Sequence, residues 1–163
     1  MAKPSTFKEV NVKFNSLVPP KGFLAITLFG TIYIHNRDKE YWEKISETKS
    51  GKETKWHEMI HIKQATMEKD SWFLFYVKYL WYWLKNMFYC GFKNSIAYYA
   101  IPYEMEAYGN ENYFGYTMKY FDKYKQMSTK ERVDLFKTHG KTWREALKQL
   151  QKKMSQEMNQ EKE

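Results

Sequence analysis

"KWHEMIHIKQ", residues 55–64, sets two histidines four apart with a glutamate directly after the first. An α-helix advances about 3.6 residues per turn, so His57 and His61 fall on one face, one turn apart. Two neutral imidazoles at that spacing can share one Zn2+. Glu58 points to the side of that face. There a carboxylate reaches a water acidified by the metal rather than the metal itself, and can act as its general base. The same letters also fit an ordinary helix whose histidines are satisfied in a core or on a surface. A third ligand would decide, because zinc on two histidines is under-coordinated.

Downstream stands "IPYEMEAYGNE", residues 101–111. Glu104 and Glu106 are two apart, about 200° around a helix, so only one of them can face a metal held by the histidines. With these residues the chain resembles the gluzincin class of H-E-x-x-H metallopeptidases, in particular minimal members whose third ligand opens an E-x-x-A motif on a later helix. Glu104-Met105-Glu106-Ala107 fits that pattern. The resemblance spans about residues 22–112, and its specific part is H-E-x-x-H. It implies a zincin-like fold, Zn2+ as cofactor, His57, His61 and Glu104 as ligands, Glu58 as general base and Glu106 as a bystander or salt-bridge partner. It implies that small Ala107 lets the later helix lie close to the motif helix. It also implies an edge strand that binds extended peptide by backbone pairing. Relatives often carry Asp or Asn four residues after the ligand glutamate, to orient a histidine. Here that residue is Tyr108, whose phenol could take over that bond or donate to the oxyanion of a tetrahedral intermediate.

Gln64 lies on the stripe of His57 and His61. An amide on that face needs partners, so Gln64 could orient a ligand or contact substrate. Glu68 continues the stripe and reads as a helix-face charge. Tyr103 adjoins Glu104 but lies on another face. His35 and His139 read as surface histidines.

Around the motif the pattern is α+β and mostly α. The first 21 residues or so read as a lead-in loop closed by "VPPKG". In "FLAITLFGTIYIHN" the even positions Leu24, Ile26, Leu28, Gly30, Ile32 and Ile34 form one greasy face, so an edge strand is predicted over about 22–35. Gly30 is a bulge or a bend, or splits the run into two strands. Residues 37–55 are polar, and "TKSGKETK" reads as loop. Helices are predicted from about Glu53 to Lys69, from Ser71 to Tyr89, and from Pro102 towards Tyr124. "CGFKNSIAYYA" reads as a connection. Ser128 with Glu131, and Thr142 with Glu145, have capping-box spacing, and Gly140 ends the first of these two helices. The 163 residues suit a single domain, 1–163, with a zincin-like core over about 22–126, C-terminal helices over 128–158 and a frayed tail at 159–163.

"SWFLFYVKYLWYWLKNMFYC", residues 71–90, carries only Lys78 and Lys85 as charges. A mid-helix lysine and the density of Tyr and Trp argue against a membrane span. The helix either packs the domain with its lysines reaching water, or lies at a membrane interface. A single cysteine, Cys90, permits no internal disulfide, and the N-terminus has no signal-peptide pattern, so a cytoplasmic protein is expected, with peripheral membrane contact as an option. The net charge of +8 admits nucleic acid, but no recognised motif accompanies it, and none is expected as a partner. The expected function is a zinc-dependent hydrolase acting on peptide or protein. The alternative is an inactive zincin-like binding module.

Overall fold

The computed structural model describes residues 2–160. It is mostly helical with one three-stranded sheet, the α+β class expected. The chain divides into two compact units. The first runs from the N-terminus to Phe75 and includes Glu111–Gly115; the second comprises Tyr76–Asn110 and the residues from Tyr116 onward.

In the first unit the strands are β1 (Asn11–Asn15), β2 (Ala25–Leu28) and β3 (Thr31–His35), in the order β1-β3-β2. The predicted edge strand is therefore two strands, and Gly30 splits them. Phe29 and Gly30 both have positive φ, 49° and 79°, which suits a two-residue hairpin turn. A Cβ on Gly30 would also collide with the Phe7 ring, so glycine is favoured there for two reasons.

The split overturns the expectation of one even-numbered greasy face. Across the hairpin Thr27 pairs with Ile32 and Ala25 with Ile34, so odd positions of β2 face the same side as even positions of β3. Ile32 and Ile34 are fully buried with Trp42, and Thr27, not Ile26, is the buried residue of β2. β3 is central, not an edge. Its parallel partner β1 comes from the segment read as a loop. Alternation in β1 is weak because only Val12 and Asn15 are even partly covered, which left no greasy face to detect.

Helix α1 (Lys39–Ile45) and the start of α2 (Lys49–Met67) occupy the polar stretch also expected to be loop. Thr48 caps α2, its hydroxyl accepting from the Gly51 N–H, so the helix begins about four residues before Glu53. Polar composition misled here because the first turns of α2 are largely solvated.

Helix α3 (Trp72–Tyr89) matches its expected bounds. α4 (Asn94–Tyr99) replaces the expected connection. The helix expected from Pro102 towards Tyr124 is two, α5 (Pro102–Asn110) and α6 (Phe121–Gln126), with irregular chain between. α7 (Thr129–His139) has the reciprocal Ser128–Glu131 capping box, and Gly140 follows it with φ 49°. Thr142, expected to cap the next helix, closes a 3-10 turn over Gly140–Thr142 and donates to the His139 carbonyl. α8 (Trp143–Gln160) follows. Residues 159–160 of the expected frayed tail are helical, and the rest of it lies outside the described residues.

The second unit packs around Ala97, Ala100, Met105, Tyr124, Val133, Phe136, Leu147 and Met154. Arg132 is buried in it, donating to the carbonyls of Ala100 and Met127 and lying 5.2 Å from the Tyr82 ring. At Gly109 of α5 an added Cβ would press on the Gln151 side-chain amide of α8.

Candidate metal centre

Both motif histidines are buried on α2. His61 Nδ1 lies 2.8 Å from Gln64 Oε1, and Gln64 is fully buried. An amide oxygen only accepts, so it holds the proton on Nδ1 and leaves the Nε2 lone pair for another partner. His57 Nδ1 lies 3.2 Å from Glu111 Oε2, and a carboxylate fixes the same tautomer there. The two Nε2 atoms then face each other at 3.2 Å. Two lone pairs at that distance repel unless a proton or a cation sits between them. Two nitrogens bound to one zinc at about 2.0–2.1 Å with tetrahedral angles are about 3.3–3.4 Å apart. The spacing thus fits a shared metal, and the donor set of neutral imidazoles suits a borderline-soft divalent ion.

In the second unit Glu104, 2% exposed on α5, accepts a 2.7 Å hydrogen bond on Oε1 from the Tyr79 hydroxyl of α3. This bond fixes how the carboxylate is turned. Tyr98 of α4 feels the same charge: burial first, then the Glu104 carboxylate, pushes its phenol well above the ordinary tyrosine range. His57 and His61 of the first unit and Glu104 of the second are buried side chains of metal-ligating type. This buried group could hold a metal ion.

No family model, curated protein or solved structure matches the chain.

The other candidate residues distribute as follows. Glu58 is buried on α2 beside His57. Gln64 is hydrogen-bonded to His61 within α2. Glu68 is buried at 3% exposure, so it is not the solvated helix-face charge expected. Glu106 is buried and accepts from the Tyr116 hydroxyl at 2.7 Å, a phenol partner where an ion pair had been suggested. That hydroxyl in turn accepts from the Tyr120 N–H. Tyr103 is fully buried among Tyr79, Tyr82 and Phe121. His35 caps a 3-10 turn by accepting from the Arg37 N–H, and His139 is exposed with Nδ1 on the Leu135 carbonyl.

Tyr108 packs edge-on against Tyr98, Tyr99 and Trp143, with the Arg144 guanidinium 5.6 Å from its ring. The His57 Nδ1 has Glu111 as a partner, and the Glu104 carboxylate has the Tyr79 hydroxyl. Neither residue was singled out by the sequence. Glu111 carried a signal, as the next acidic residue after Glu106 in the stretch that supplies Glu104. Tyr79 carried none, being one tyrosine among many in an aromatic helix.

Proposed function

We propose that the chain is a zinc-dependent hydrolase, a metallopeptidase of the kind its H-E-x-x-H and E-x-x-A motifs resemble. The observation that carries this reading is the pair of Nε2 atoms facing each other at 3.2 Å, with both Nδ1 positions engaged by Gln64 and Glu111. The zinc would be held by His57, His61 and Glu104. When bound it supplies Lewis acidity, lowering the pKa of a water and polarising a carbonyl.

The residues of the chain divide the remaining work. Gln64 and Glu111 keep the imidazoles neutral at Nε2 and correctly turned. Tyr79 does the same for the Glu104 carboxylate. Glu58 takes a proton from the attacking water and passes it to the leaving amine, the double duty of a general base that becomes a general acid. β2 borders no other strand on its outer side among the described strands, and along that edge an extended peptide could add as a further strand.

The test is elemental analysis of the purified protein after incubation with zinc, alongside His57→Ala. One zinc per chain in the wild type, and much less in the variant, is expected. A wild type that takes up no stoichiometric metal overturns the reading. A metal-loaded protein that cleaves no member of a broad peptide library favours the inactive binding module instead.

A further inference from the structure

Helix α3 carries an outward-facing apolar stripe. Residues recur about every 100° around a helix, so Val77, Leu80, Trp81, Leu84 and Phe88 share one face, and all five are exposed. Trp81 is 59% and Phe88 73% exposed. The stripe runs about 16 Å along the helix. Phe92 extends it, exposed and edge-on to Phe88 with ring centroids 5.5 Å apart. Phe92 has φ 63°, a backbone conformation costly for a bulky side chain. The opposite face carries the hydrogen-bonding residues: Tyr79 donates to Glu104, and buried Asn86 donates to the Ala97 carbonyl. Trp72, Phe75 and Cys90 are buried on that same face, so the helix is largely apolar on both sides and its outward stripe is left uncovered. A contiguous apolar patch of this kind marks a surface that binds something apolar.

Charge says what covers it. From Ser71 to Tyr103 there is no Asp or Glu, and there are three lysines, Lys78, Lys85 and Lys93. Lys85 is exposed at the border of the stripe, with Nζ 5.8 Å from the Trp81 ring centroid. Lys137 of α7 lies 5.4 Å from the ring of Tyr89, itself exposed at the helix end. Aromatic rings bordered by lysines match the two depths of an anionic bilayer surface: rings at the level of the acyl boundary, ammonium groups among the phosphates. Among the described residues no helix is long and apolar enough to cross a membrane, so this contact is one of lying on the surface. We infer that α3 docks the protein on an anionic lipid bilayer through Val77, Leu80, Trp81, Leu84, Phe88 and Phe92, with Lys85 and Lys93 meeting the headgroups.

The experiment is co-sedimentation of the full chain with vesicles of phosphatidylcholine alone, or of equal parts phosphatidylcholine and phosphatidylglycerol, at low and high salt. Binding to the anionic vesicles is expected, weakening as salt screens the lysines. The double variant Leu80→Ser/Phe88→Ser, altered only at exposed positions, should keep the circular dichroism of the wild type. It should lose about tenfold or more in vesicle affinity. Lys85→Gln should lose a smaller factor, visible only at low salt. Acyl chains carrying bromine should quench a fluorescence component that Trp81→Phe removes. His57→Ala should bind vesicles as the wild type does, which separates this inference from the metal. Failure to sediment with anionic vesicles at low salt overturns it, as does unchanged binding by the double variant. So does a dimer that the double variant dissolves in a protein that ignores vesicles, because the occupant of the stripe is then a second copy.

Discussion

Along α2 the buried residues include His57, Glu58, His61, Gln64 and Glu68; along α3 the exposed ones include Val77, Leu80, Trp81, Leu84 and Phe88. α8 shows what an ordinary helix of this protein does. Ala146, Leu147 and Met154 are buried while Lys148, Lys152 and Lys153 are exposed, the expected 3.6-residue stripe. Burying a polar group costs a few kcal/mol unless a partner replaces water, and leaving a large apolar side chain in water forgoes about 1.5–3 kcal/mol. α2 and α3 break the ordinary pattern in opposite senses, each against stability. The difference lies in what would relieve the cost. In α2 the relief is local and polar: Gln64 and Glu111 on the two Nδ1 atoms, and a place between the two imidazoles that could hold a cation. In α3 it must come from outside the chain, as an apolar phase.

The largest effect that tests the α2 side is Glu58→Gln. The substitution keeps shape and removes the base. Metal content should be unchanged, and hydrolysis of any substrate found should fall by about a hundredfold or more. A variant with full activity would show that the burial of Glu58 is structural and not catalytic.

Next in size is Gln64→Leu. It removes the acceptor that holds the proton on His61 Nδ1, so the proton is free to move to Nε2 and block the ligand atom. Zinc affinity should drop by roughly 10- to 100-fold, measured by competition with a chromophoric chelator. Gln64→Glu restores an acceptor and should recover most of that loss. Equal affinity in Gln64→Leu and the wild type would mean that this hydrogen bond plays no part in setting the tautomer.

How much of this was legible in the letters follows from the same physics. His57, His61 and Gln64 were legible because helical spacing alone fixes which side chains share a face. Ser128 and Glu131 were legible because a capping box is a local pattern. Tyr79 and Glu111 were not, because the fold brings each to its partner from 25 and 54 residues away, and no periodicity encodes that. β1 was missed for a related reason: a parallel strand is defined by its partner, and neither face of Asn11–Asn15 is dry enough to announce itself. The hairpin parity was missed because a two-residue turn shifts which positions share a side, and the turn sits at Phe29-Gly30, where Phe29 is an uncommon choice for positive φ. The outward stripe of α3 was half legible. Its apolar stripe is in the sequence, but which face docks is decided by Tyr79 and Asn86 finding partners in α5 and α4.

The smallest effect is the most diagnostic of α3. Asn86 and Leu84 are neighbours on one helix, one buried and polar, the other exposed and apolar. Asn86→Leu strands the Ala97 carbonyl and should destabilise the fold by about 1–3 kcal/mol in urea unfolding. Leu84→Ser should change stability by no more than about 0.5 kcal/mol in water, because the side chain already stands in solvent. An ordinary amphipathic helix would give the reverse order, with loss of the leucine costing most. If Leu84→Ser proved the more destabilising of the two, the outward stripe would be packed against protein in solution. The contrast between α2 and α3 would then reduce to the buried polar residues of α2.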